Sequence, residues 1–214
     1  MSRLKEFIAL LSKVSHLKES SEIEGYFDKL SDYLFNHLAI KAGKDIYTFL
    51  EVEYYYYNEN SIFKDSSLYN CTYPRTRNVG QFFWHLSGID ICFESKENNR
   101  YFGGILIRSL KKNDKEIIAG PMRCSDEILN SCETILPMLI VHESNLGYEP
   151  ETAFRYGIEA DKNQGNSPME FRYFIPLDNW TRTRNSVLVE DKSTGGYKTI
   201  EKKIDYYSAQ PPKK

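Results

Sequence analysis

Phe49-Leu-Glu-Val-Glu-Tyr-Tyr-Tyr-Tyr57 is the stretch that decides the fold. Its β-branched and aromatic content predicts a strand. Alternation along a strand puts Leu50, Val52, Tyr54 and Tyr56 on one face and Phe49, Glu51, Glu53, Tyr55 and Tyr57 on the other. The second face therefore carries two carboxylates flanked by rings. It either lines a cleft, where an acid serves as general base beside a stacking platform, or is a solvent-facing edge with ordinary glutamates. Spacing alone leaves both readings open.

Upstream, the first forty residues read as helix. Leu4, Phe7, Ile8, Leu11 and Val14 form one apolar stripe, and Ile23, Phe27, Leu30, Leu34 and Leu38 form a second. Ser20 or Ser21 is the expected N-cap of the second helix, and Gly43 is expected to end the helical pattern. Downstream, a polar, turn-rich stretch spans Asn58 to Asn78. Strands are predicted over Gln81 to Leu86, Ile89 to Glu94 and Gly104 to Leu110, with Lys96 to Arg100 as a hairpin loop. Gly120-Pro121 is a breaker, Ser125 opens a short helix, and Met169 to Ile175 is strand-like again. The class is α+β: two N-terminal helices and a largely antiparallel sheet. Residues 1–200 are read as a single domain, with a helical part at 1–42, a core at 47–180 and a polar, flexible tail at 201–214.

Composition narrows the function classes. The 214 residues hold 28 Lys+Arg against 30 Asp+Glu, a net charge of −2, with 41% hydrophobic and 14% aromatic residues. That excludes global disorder, and the balance speaks against a generic nucleic-acid coat. The longest apolar run, Ile135 to Val141, is far short of a membrane span, so no membrane partner is expected. The opening Met1-Ser-Arg-Leu-Lys-Glu6 has no apolar h-region, and a cytoplasmic protein is expected. Cys71, Cys92, Cys124 and Cys132 include no CxxC pair, and His16, His37, His85 and His142 are scattered. His142-Glu143 begins like a zinc-protease motif, but Leu146 stands where the second ligand belongs. Buried, unpaired cysteines and no metal or other cofactor are the expectation.

Three further features could carry chemistry. Arg108 interrupts the apolar run Phe102-Gly-Gly-Ile-Leu-Ile-Arg-Ser-Leu110 and needs a partner, since unpaired burial of a charge is costly. A structural ion pair or a strand end emerging into water would also account for it. Asp90, in Ser87-Gly-Ile-Asp-Ile-Cys-Phe93, is either a site residue beside Cys92 or an outward-facing polar group. Trp84-His85 could supply stacking and a titratable group, or simply pack in the core.

The order of these segments resembles the alkyladenine (3-methyladenine) DNA glycosylase fold family. Its strand with two acids, Thr-Pro-Arg-Asn-like loop, Leu-Leu-Arg-Ala-Leu-like strand, Gly-Pro element and Trp-Arg-Phe-Tyr-like strand have collinear counterparts. Here they read Glu51-Val-Glu-Tyr-Tyr55, Tyr73-Pro-Arg-Thr-Arg-Asn-Val-Gly-Gln-Phe82, Ile105-Leu-Ile-Arg-Ser-Leu110, Gly120-Pro-Met-Arg-Cys124 and Met169-Glu-Phe-Arg-Tyr-Phe174. The phrases Ser87 to Phe93 and Gly103 to Ser109 also resemble a separate branch of small bacterial proteins. The resemblance implies a curved sheet or partial barrel under the two helices, and a metal-independent N-glycosylase of the base-excision-repair kind. By position it makes Glu53 the base that activates water, Arg108 the residue that helps hold that water, and Tyr55 the ring that stacks on an extruded base. Glu51, Asp90, Trp84 and His85 are the further substrate-binding candidates. Damaged DNA or a base or nucleoside ligand is the implied partner.

Two departures fit the alternative, a non-catalytic binding or interaction module on the same fold. Ser67-Leu-Tyr-Asn70 has no histidine where the family carries one, and Phe83 to Gly88 is shorter than the family's wedging hairpin. Charge is also uneven. Residues 181–214 carry a local +4, which leaves −6 for residues 1–180, so the glycosylase-like part is the more acidic. Cations gather there only locally, at Arg75 and Arg77 and at Lys111, Lys112 and Lys115.

Overall fold

A computed structural model describes residues 2–14, 17–61, 65, 68, 77–95, 101–132, 135–142, 144–153, 155, 170–176, 181–182, 186–191, 196–201 and 204–205. Among them are three helices and a curled, antiparallel half-barrel sheet. Helix α1 (Arg3–Lys13) starts at Ser2, whose hydroxyl accepts from the Lys5 amide at 3.4 Å, and buries Phe7 and Leu11. Helix α2 (Ser20–His37) is capped by Glu19 rather than by a serine; the Glu22 side chain reaches back to the Glu19 amide at 3.4 Å. Its stripe of Ile23, Phe27, Leu30 and Leu34 is fully buried.

The helical pattern was expected to run to Gly43, but α2 ends at His37 and Leu38–Ala42 is strand β1. Cross-strand pairing explains the difference. Leu38 extends the helical stripe and is buried either way, while Ala39 to Ala42 pair with β2 (Asp45–Asn58) across the Gly43-Lys44 turn. Gly43 has φ +56°, and a Cβ there would lie 2.2 Å from the Ser131 carbonyl oxygen.

The remaining strands are β3 (Phe82–His85), β4 (Gly88–Cys92), β5 (Tyr101–Lys112), β6 (Glu116–Ala119), β7 (Met138–Val141), β8 (Glu151–Ala153) and β9 (Arg172–Phe174). The sheet order is β3-β4-β5-β2-β1-β7, with β6 returning along β5. Strand β9 pairs with β2 at Glu51–Glu53 and carries β8 on its other edge. Helix α3 (Pro121–Ser131) begins four residues before the expected Ser125, because Pro121 fits the first helical turn, where no amide is needed. Strands β6, β7 and β8 were not foreseen. Each is three or four residues long and defined by its pairing, not by any local pattern.

Two further ladders, β10 (Thr181–Arg182) with β13 (Ile204–Asp205) and β11 (Ser186–Asp191) with β12 (Gly196–Glu201), occupy the stretch read as polar. Thus Glu201, Ile204 and Asp205, placed in the expected tail, lie in strands. The proposed hairpin loop at 96–100, most of the turn-rich 58–78 stretch, Ser67, Tyr69 and Asn70 of the histidine-lacking segment, and 206–214 lie outside the described residues. No helix among the described residues is long and apolar enough to cross a membrane.

One face of β2 makes the main core with the helices. Phe27 stacks on Tyr54 at 4.2 Å and meets Phe171 edge-on at 4.9 Å, while Ser31 Oγ and Tyr54 Oη lie 2.9 Å apart. The Tyr56 hydroxyl reaches the Val14 and Leu17 carbonyls at 2.9 and 2.8 Å, tying the end of α1 to the sheet. With these helices packed on one side, the acidic face of β2 is extended sideways by its neighbours β5 and β9, which supply Arg108 and Arg172.

Two glycines test this account in opposite directions. Gly25 sits inside α2 with open space around it, so Gly25→Ala is expected to stabilise the protein by about 0.5–1 kcal/mol. Gly43→Ala must strain φ and displace α3, and is expected to cost about 1–3 kcal/mol. Urea unfolding of both variants measures the pair.

Candidate functional site

The acidic face of β2 meets β5 across a paired irregularity. Phe49 pairs with Leu110 and Glu51 with Ser109, which leaves Leu50 extra; Val52 then pairs with Ile107, which leaves Arg108 extra. Both displaced carbonyls are used elsewhere: Ile175 N donates to Leu50 O at 2.9 Å, and Gly120 N donates to Arg108 O at 2.8 Å. The first bulge corrects strict alternation, since Phe49 lies in the apolar core with Leu50 and not on the acidic face. The second lets Arg108 and Ser109, successive residues, reach the same carboxylate.

Glu51 and Glu53 are both fully buried. Glu51 Oε1 accepts from Arg108 Nε at 2.9 Å and from Arg172 Nε at 2.6 Å, with Arg172 Nη2 also at 2.6 Å; Oε2 accepts from Ser109 Oγ at 2.9 Å. Glu53 Oε2 lies 3.1 Å from Arg108 Nη1 and accepts from the Tyr55 hydroxyl at 2.8 Å. Glu53 Oε1 is buried and has no hydrogen-bond partner among the described residues. Arg108 thus bridges two carboxylates, an arrangement that is stable in a dry interior only with close geometry and full charge compensation.

Tyr55 is half-buried, and burial, followed by the Glu53 charge, pushes its hydroxyl well above the usual phenol range. It is therefore a neutral donor to Glu53. The Arg155 guanidinium stands 4.8 Å over the Tyr55 ring, donates to the Tyr54 carbonyl at 3.2 Å and pairs with Asp65. Sequence reasoning missed Ser109, Arg155, Asp65 and Arg172 as site residues. Arg172 carried a usable signal: it is a lone cation among Phe171, Tyr173 and Phe174, as Arg108 is among Ile105, Leu106, Ile107 and Leu110.

The other candidates divide. Glu53 pairs with Leu106 and Leu106 with Asp90, so Asp90 shares the acidic face but stands two strands away, about 9–10 Å at ordinary strand spacing. His85 Nε2 is 3.1 Å from Asp90 Oδ1, and His85 Nδ1 accepts from the Ser87 amide at 3.1 Å. Asp90 lines a cleft with Arg77, Phe83, Cys92, Phe102 and Gly103, in which the Arg77 guanidinium lies 3.6 Å over the Phe83 ring. Trp84 pairs with Ile89 and packs against the apolar core, on the opposite face from Glu53. The structure therefore joins Glu51, Glu53, Tyr55 and Arg108, groups Asp90 with His85 nearby, and leaves Trp84 apart.

No group of three or more His, Cys, Asp or Glu side chains among the described residues is placed to hold a metal ion. No family model matches the chain, and no curated protein is significantly similar to it.

Cys92 lines the Asp90 cleft as a buried, unpaired thiol. Burial, with the Asp90 charge adding and Arg77 opposing, pushes its thiol up to about 12. At pH 8 iodoacetamide is expected to alkylate the half-buried Cys132 and to spare Cys92 until the protein is unfolded. Peptide mass spectrometry of the native protein reads this out, and equal labelling of the two residues would contradict the placement of Cys92.

Proposed function

We propose that the chain is a hydrolase of the N-glycosylase type, acting on a nucleobase-bearing substrate through water activated by Glu53. One observation carries the reading: the fully buried Glu53 has one oxygen tied to Arg108 and Tyr55 and the other without a partner among the described residues. A buried acceptor left open in this way costs about 1–3 kcal/mol, and function is a common reason for such a group to persist. In the reaction, Oε1 accepts a proton from water as the water oxygen bonds to the anomeric carbon. The C–N bond breaks, its electron pair leaves with the base, and the proton held by Glu53 passes to the departing base. Arg108 and Tyr55 keep the carboxylate oriented throughout.

The second reading, a non-catalytic module that binds a base-like ligand, has its own support. The Glu53–Arg108 contact is direct at 3.1 Å, not bridged by water, and the Tyr55 ring is already covered by Arg155 on one side. The acidic balance of residues 1–180 also favours a small ligand over a long duplex for either reading.

Release of free base from alkylated and deaminated DNA, RNA and free nucleosides separates the two. Under the first reading Glu53→Gln lowers release by about 10²–10⁴-fold. Equal release by both proteins refutes the role of Glu53. Absence of release, with a nucleoside-induced rise in melting temperature that Glu53→Gln abolishes, establishes the binding module instead.

A further inference from the structure

We propose that Arg172 is a positioning residue for Glu53, acting through Glu51 and Arg108. The proposal rests on the reading of Glu53 as the open acceptor of the site, and it reassigns Glu51 from a substrate ligand to an internal support. Arg172 is cross-strand from Glu53, yet its guanidinium passes Glu53 and binds Glu51 Oε1 through Nε and Nη2, both at 2.6 Å. Both oxygens of Glu51 are thereby engaged by protein donors, with Ser109 on Oε2 and Arg108 Nε also on Oε1. Charge explains why a second arginine is needed. Glu51 and Glu53 carry two negative charges into a site where their side chains are fully buried, and Arg108 alone supplies one positive charge. Arg172 neutralises Glu51, so the Arg108 guanidinium, fixed in plane by its Nε contact, can present Nη1 to Glu53 Oε2. Glu53 Oε1 is then the oxygen that remains for an incoming donor, water or a ring N–H, and the site rejects an anion there.

Arg172 and Glu53 make no direct hydrogen bond, so their energetic coupling tests the relay. Unfolding equilibria are measured for wild type, Arg172→Met, Glu53→Gln and the double variant, and the same four are repeated in a Glu51→Gln background. The expected result is that Arg172→Met weakens folding at least tenfold less when Glu53 is already glutamine, a coupling of about 1.4 kcal/mol. That coupling is expected to fall below twofold once Glu51 is glutamine. Additivity in the wild-type background, or coupling that persists without Glu51, overturns the proposal. Arg172→Lys, which keeps the charge but not the two-pronged contact, carries the same cycle if Arg172→Met does not fold. Because the cycle reads stability, it stands or falls separately from any base-release activity. Where release is observed, Arg172→Lys is expected to lower kcat at least tenfold with KM within twofold of wild type, and a change in KM alone also overturns the relay.

Discussion

The Arg108 guanidinium, shared between two buried carboxylates, is the interaction on which the rest of the structure depends. It joins β2 to β5 where both strands depart from regular pairing, so the bulges and the ion pairs form one feature. Among the described residues around it, Glu51, Glu53 and Asp65 pair with Arg108, Arg172 and Arg155. A regular ladder would leave Ser109 and Arg108 on opposite faces and Glu51 short of a donor. The irregular one brings both to Glu51, and the displaced Arg108 carbonyl receives the amide that opens α3.

Much of the fold was legible in the sequence because its long elements are locally consistent. The stripes of α1 and α2 each repeat one period for ten or more residues, and β2 alternates regularly from Glu51 to Tyr57. Elements set by partners were not legible. Leu38 to Ala42 continues a helical stripe, yet pairing with β2 makes it a strand. β8 has only three residues and is defined by β9, which is itself held on β2. Glu19 as a cap was hidden because serines, the better cap residues, follow it directly.

The site was half legible for the same reason. Glu51, Glu53 and Tyr55 follow from alternation within one strand, and Arg108 from a cation in an apolar run. That the last of these meets the first two is the geometry that the structure adds. Arg172 carried the same signature as Arg108, but only the pairing of β9 with β2 shows which carboxylate it serves. Trp84 shows the limit of adjacency: neighbours on a strand point apart, so His85 meets Asp90, which lines the cleft, while Trp84 packs in the core.

The most direct test of the central claim is the unfolding free energy of Arg108→Met, from urea titration at neutral pH. Removing the shared cation leaves two buried carboxylates, with Arg172 the cation among the described residues that still contacts Glu51. The expected loss is about 3–5 kcal/mol, a large part of the roughly 5–15 kcal/mol that holds a domain folded. A loss below about 1 kcal/mol, the value of an exposed ion pair, would contradict the claim that this arginine organises the buried site.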